Sequence, residues 1–194
     1  MRKLLTEATI ALTLTTGTAM AEAYKGYEQP PYQVQKVEGD FELRSYGQHK
    51  VAEVQVQGAR DGAVNIGFRK LAGYIFGGNE SGQKIAMTVP VAQTPSEGGS
   101  WIIRFMIPAE IAKGELPLPK DEAIRFVTLA SERQVALKFS GLRGDGALEA
   151  RAEDLRVWAK SQDLTITAGP HFYFYDGPMT LPWNRRNEVA FTVR

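Results

Sequence analysis

The stretch "VAEVQVQG", residues 51–58, sets Ala52, Val54 and Val56 against Glu53, Gln55 and Gln57 and then stops at a glycine. Successive side chains of a strand point to opposite faces, so the pattern is a strand with one buried face. A helical period follows at once: Val64, Phe68, Leu71, Ala72 and Ile75 recur at i, i+4, i+7, i+8 and i+11, and Gly77-Gly78 supplies the stop. The same order returns downstream. "QVALKFS", residues 134–140, is an alternating strand that runs into Gly141, and Leu148, Ala152, Leu155 and Ala159, with Trp158 beside them, give a second amphipathic helix over residues 147–162. Gly58 and Gly141 lie 83 residues apart, and Leu71 and Leu155 lie 84 apart.

A further extended segment follows each helix. "KIAMTVPVA", residues 84–92, alternates through Ile85, Met87, Val89 and Val91, and "HFYFYD" spans residues 171–176. Pro90 falls on the opposite parity and predicts an edge strand or a bulge there, an edge guarded against pairing with a second copy and hence a monomer. "WIIRFMI", residues 101–107, is apolar on both faces apart from Arg104, as a central strand would be. Together these segments predict an α+β chain built by duplicating a strand–strand–helix–strand unit. The two copies join their strands into one curved sheet or distorted antiparallel barrel carrying two amphipathic helices.

Composition bounds the function. The chain has 194 residues, 43% apolar and 23% charged, which is globular composition and enough for one domain. A formal net charge of +1 gives no electrostatic drive toward nucleic acid or an anionic membrane. There is no cysteine, which excludes disulfides, thiolate nucleophiles and iron–sulfur clusters. Arg2 and Lys3, a largely apolar run to about Gly17 and the small residues "TAMAEA" have the shape of a secretory signal cleaved after Ala21 or Ala23. Residues 1–23 are therefore expected to be a leader, residues 24–194 a single domain, and the location periplasmic or secreted, with no stable membrane insertion. No nucleophile elbow, phosphate-binding loop, paired-histidine zinc motif or dinucleotide fingerprint is present, so catalysis is not expected.

"IFGGN" after the first helix, "KIAMTVPV" beyond it, and "YD" with "RRNEV" near the end resemble the SOUL family of heme-binding proteins in order and spacing, over residues 27–194. The resemblance implies a distorted barrel of duplicated halves and an exchangeable tetrapyrrole, heme or a related porphyrin, held in a surface groove alongside the first helix. The residues there suit such a ligand. Ile66, Arg69, Lys70 and Gly73 share the outer face of that helix. A mid-helix glycine costs about 1 kcal/mol against alanine but lets a flat ring approach, and the two cations suit propionates. Met179, Trp183 and Arg185 in the loop "YDGPMTLPWNRRNEV" are candidates to border the same groove. Adjacent strand residues point apart, so at most one of the two arginines is expected to reach a ligand, and the other, Arg186, to pair with a carboxylate such as Glu188 or to pack on the sheet. His49 and His171 are the axial candidates for a heme iron, and Met87 is assigned to the core. Duplicated barrels of this kind also resemble GyrI-like small-molecule-binding domains, so a module for another amphipathic ligand is the alternative.

Overall fold

The computed structural model describes residues 23–194; the expected leader lies outside the described residues except for Ala23. In chain order the elements are β1 (Tyr32–Glu38), β2 (Phe41–Tyr46), β3 (His49–Gln57), α1 (Arg60–Ile75), β4 (Val91–Ser96), β5 (Ser100–Met106), the one-turn α2 (Ala109–Ala112), β6 (Arg125–Leu129), β7 (Glu132–Phe139), α3 (Asp145–Ser161), β8 (Ile166–Phe174) and β9 (Asn187–Val193). All nine strands form one curled antiparallel sheet in the order β1-β2-β7-β9-β8-β4-β5-β3-β6.

The duplication is written into this order. In the first half β5 lies between β3 and β4, and in the second β9 lies between β7 and β8. The repeated unit therefore has one strand more than expected, after the one that follows the helix. Each half also lends its first strand to the other: β2 pairs with β7, and β6 pairs with β3. The two halves meet again at the β4–β8 seam. Gly58 and Gly141, which close the equivalent strands β3 and β7, have φ of +117° and +102°, a region that side-chain-bearing residues avoid.

Both longer helices cover one face of the sheet. At the seam Val91 lies opposite Phe174 and Gln93 opposite Phe172, so these four side chains share that face. α3 buries Leu148, Ala152, Leu155, Trp158 and Ala159 against Val135, Leu137, Phe172, Val189 and Phe191, as its spacing predicts. α1 follows its spacing in part. Leu71 and Ile75 enter a second core with Val54, Ile103 and Phe105, and Val64 and Ala72 pack against it, but the other buried positions on the helix include Ala63 and Gly67. Val64 is only half-buried and Phe68 is exposed. The cause is a close approach: a Cβ on Gly67 would lie 2.8 Å from Ile103 side-chain atoms of β5. Gly67→Val is expected to lift α1 off β5 and cost about 1–2 kcal/mol, read as a lower urea midpoint.

Two strand expectations are corrected. Residues 84–90 are extended but form no ladder; Thr88 makes only a bridge with Glu28, and Ile85 N–H donates to the Ile75 carbonyl at 2.8 Å. Ile85 is still buried in the second core and Met87 packs against it, but the alternation stops there: Thr88, Val89 and Pro90 are buried in succession. Pro90 marks no edge. It is buried immediately before β4, which lies inside the sheet between β8 and β5, and the edges are β1 and β6.

The face away from the helices is polar at its centre. Arg44 of β2 and Glu188 of β9 are fully buried; Arg44 Nη1 and Nη2 donate to the two Glu188 oxygens at 2.6 and 2.9 Å, and Nε donates to Glu42 at 2.7 Å. Arg186 completes the group from the solvent side, its Nη2 donating to Glu188 Oε1 at 2.6 Å, the carboxylate pairing that is one of the two roles expected of it. Burial alone would raise the Glu188 carboxyl; the adjacent Arg44, then Arg186, outweigh it and hold the pKa at about 2.

Candidate functional site

A groove of about 550 Å³ runs over the β4–β8 seam on the helix-covered face. Asp61, Val64, Asn65 and Phe68 of α1 form one wall; Met87, Val89, Val91 and Gln93 form the floor; Phe174 and residues 175–178 form the far side. The exposed apolar stripe of α1 is the reason this groove has a wall. Val64 and Phe68, core residues by spacing alone, lie at the rim of the second core beside the tight packing at Gly67: Val64 packs on that core, Phe68 meets the Phe105 ring edge-on at 5.4 Å, and both also line the groove. Met87 is likewise half-buried: it packs against the second core, as expected of it, and also lines the groove.

Arg60 and Arg143 also line the groove. Each follows a strand-closing glycine by two residues, at Gly58-Ala59-Arg60 and Gly141-Leu142-Arg143, so they are equivalent residues of the two halves. Their guanidinium carbons stand 5.5 and 5.0 Å from the centre of the Phe174 ring. Arg60 Nη1 donates to Asp145 at 3.0 Å and to the Arg143 carbonyl at 3.1 Å. Arg143 Nη1 donates to the Asp176 carbonyl at 3.3 Å, and among the described residues it has no ion-pair partner. Burial, then the neighbouring Arg185 and Arg60, lower the Arg143 pKa from the usual arginine value. A carboxylate placed beside these cations would relieve that repulsion.

Two further atoms lack partners. Gln93 Oε1 and Arg60 Nε are buried without a hydrogen bond among the described residues, and both residues line the groove. A buried polar atom left unpaired costs about 1–3 kcal/mol, which a ligand carrying the complementary group would recover. Apolar walls, paired cations and an unpaired acceptor on the floor fit a flat, largely apolar molecule with carboxylate edges.

The sequence candidates are placed differently from one another. Ile66, Arg69 and Gly73 are exposed on α1 away from the groove lining, and a Cβ on Gly73 would meet open space. Lys70 Nζ is 2.5 Å from Asp121 in a surface ion pair. Arg185 fastens its own loop, with Nε donating to the Thr180 carbonyl at 2.7 Å and Nη2 to the Pro178 carbonyl at 2.8 Å. Met179 and Trp183 project from that loop into solvent, next to the groove-lining Pro178.

His49 and His171 lie together in a different cavity. It measures about 280 Å³, sits against the sheet face turned away from the helices, and is lined by both histidines with Arg104, Glu132, Tyr173 and Thr192 among others. On β8 the side chains of Phe172 and Phe174 pack toward α3, so His171 and Tyr173 necessarily face the other way. Thr192 Oγ1 donates to Glu132 at 3.2 Å and therefore accepts from His171 Nε2 at 3.2 Å. His171 Nδ1 is left to accept from the Thr94 hydroxyl at 3.1 Å. Both ring nitrogens are occupied and neither faces the groove. His49 Nδ1 donates to the Gly47 carbonyl at 2.9 Å. Among the described residues no cluster of three histidine or acidic side chains could hold a metal ion, and no helix is long and apolar enough to cross a membrane.

Arg60 and Arg143 escape a reading based on helix faces, yet the repeated Gly-x-Arg after each alternating strand is visible in the chain. Val64 and Phe68 carry no such signal, since nothing in their spacing separates a groove wall from a core.

Fold and groove thus define a duplicated α+β module with a ligand-sized cleft at the junction of its halves. The SOUL heme-binding protein family model matches residues 27–192, and the chain belongs to that family. It is 34% identical over 138 residues to heme-binding protein 1 of Sus scrofa, covering 66% of this chain and 70% of that protein. To heme-binding protein 1 of Mus musculus it is 30% identical over 171 residues, 82% of this chain and 89% of the other. Among solved structures, the EcmrR C-terminal domain superposes with a TM-score of 0.62 at 13% identity, over 84% of this chain and 98% of that one, a likeness of fold alone.

Proposed function

We propose that the protein binds heme or a related tetrapyrrole, reversibly and without catalysis, in the groove between α1 and residues 174–178, as a carrier or buffer outside the cytoplasm. The observation that supports this most is the meeting of Arg60 and Arg143, equivalent residues of the two halves, at a cleft walled by Val64, Phe68, Val89, Val91 and Phe174. The macrocycle would lie against the apolar wall with its propionates toward the arginines. Both histidines lie outside this cleft, so ring contacts carry the binding; Met87, Tyr27 and Tyr175 are the groove residues of a type that can meet an iron, and the Tyr175 hydroxyl already donates to Glu188 at 3.2 Å.

The test is a titration of residues 24–194, which contain every element described, with hemin and with metal-free protoporphyrin, followed by absorbance and tryptophan quenching. Saturable binding of both is expected. Phe68→Asp should weaken both by about tenfold or more, since it puts a charge against the ring. Gly73→Ala should leave affinity unchanged and raise stability by up to about 1 kcal/mol. The reverse pattern, with Gly73→Ala damaging and Phe68→Asp silent, would move the ligand to the outer face of α1. Failure of both porphyrins to bind would sink the tetrapyrrole reading and leave the groove to another amphipathic ligand.

A further inference from the structure

The loop before β9 presents apolar side chains to solvent in a fixed arrangement. Met179, Leu181 and Trp183 are 94%, 52% and 68% exposed, and Leu142 of the neighbouring loop is 73% exposed. The two loops are joined, because Gly141 N–H donates to the Pro182 carbonyl at 2.9 Å. Arg185 bonds to the carbonyls of Pro178 and Thr180 and Asn184 N–H bonds to Leu181, so the loop is tied from within. Side chains that could have folded inward are held out. Arg143 and Arg185 stand at the base of this apolar tip, and among the described residues neither is ion-paired.

We infer that this tip is a docking surface for an anionic lipid bilayer, entered by Leu142, Met179, Leu181 and Trp183, with Arg143 and Arg185 at the level of the headgroups. Exposed leucine, methionine and tryptophan over unpaired arginines is the chemistry of an interfacial anchor, in which an indole sits at the boundary and cations meet lipid phosphates. The charge complementarity is local, since the net charge of the whole chain is only +1. Gly177 and Pro178 of the same loop line the groove, so docking would bring the groove mouth to the membrane. A flat apolar ligand could then pass between bilayer and groove without crossing water. That transfer role rests on the tetrapyrrole reading; the docking does not.

The experiment is flotation of ligand-free residues 24–194 with vesicles of phosphatidylcholine alone and of phosphatidylcholine with phosphatidylglycerol, alongside tryptophan emission. The leader is omitted because its apolar run would bind vesicles by itself. Flotation with the anionic vesicles and a blue shift are expected, and the triple variant Met179→Ser, Leu181→Ser, Trp183→Ser should reduce binding by about tenfold or more with its thermal midpoint kept. Arg143→Gln, with the tip intact, should remove part of the preference for anionic lipid. No flotation with either vesicle, or equal flotation of the triple variant, would overturn the docking surface. Self-association abolished by the triple variant would instead assign the tip to a second copy. Hemin titration of the same samples separates this result from the groove: a protein that floats but binds no porphyrin keeps the docking surface and loses only the transfer role.

Discussion

Glu188→Ala should cost about 3–5 kcal/mol and leave little folded protein at room temperature, because it strands a fully buried guanidinium. Arg44 has no exposure at all, and two of its nitrogens end on Glu188. With that carboxylate gone, Glu42 still holds Nε at 2.7 Å and the Tyr46 hydroxyl accepts from Nη1 at 3.0 Å, but Nη2 loses its carboxylate. Glu42 is already shared with Lys138. The damage is topological as well as local, since Arg44 sits on the strand that the first half lends to the second. Urea unfolding of the single variants Glu188→Ala and Arg44→Met and of the double variant gives the coupling between them. The double variant should be less unstable than the two losses added, because it removes both buried charges together. A loss below about 1 kcal/mol in Glu188→Ala would mean that Arg44 finds other compensation and that the pair does not hold the halves together. "RRNEV" is accordingly explained within the fold: Glu188 is the buried anion, Arg186 its outer cation, and Arg185 the clasp of the loop.

Period and punctuation carried most of the architecture. The alternations at 51–57 and 134–140 and their closing glycines marked the duplicated strands, and the spacing in α3 named its buried face residue by residue. Strand pairing was not legible, because alternation says which face a residue occupies and not which strand lies beside it. Hence Pro90 suggested an edge although β4 is interior, and the exchange of first strands between halves left no trace in either half alone. The rotation of α1 was hidden for a related reason. It depends on Ile103 meeting Gly67, a contact between residues far apart in sequence, and that contact leaves Val64 and Phe68 at the rim of the core, where they also form the groove wall. Gly73 is a mid-helix glycine with open space beside it, whereas Gly67 has a neighbour that excludes a side chain.

The two faces of the sheet divide the chemistry. The helix-covered face holds both apolar cores and, between them, the groove with Arg60; the opposite face holds the Arg44–Glu188 pair and both histidines. A ligand in the groove would touch the seam strands β4 and β8 from one side while Thr94 and His171 join the same two strands from the other.

That arrangement predicts acid sensitivity that begins well above the carboxylate range. Burial lowers the His171 pKa to about 4; nearby Glu132 opposes the shift and Arg104 adds to it. His49 shifts in the same direction, again chiefly by burial. An unfolded histidine titrates near 6.5, so between about 6.5 and 4 the unfolded chain binds the proton that folded His171 refuses. Its contribution is complete above about pH 6.5 and is lost as pH falls toward 4, amounting to about 2–3 kcal/mol. Glu188 adds to the loss only below its unfolded value near 4.5, as pH falls toward its folded pKa of about 2. The chain has two histidines, so the slope above that range belongs to them. Urea midpoints taken from about pH 7 to about pH 5 should fall steadily, and His171→Gln, whose amide can still bond Thr94 and Thr192, should flatten most of the fall. A midpoint constant over that range in the parent protein would show that His171 takes its proton as readily folded as unfolded. The site would then tolerate a charge on the ring between Thr94 and Thr192, and the Thr94 hydroxyl would have to turn to accept from a protonated His171 Nδ1, the bonds from Nε2 to Thr192 and from Thr192 to Glu132 keeping their direction.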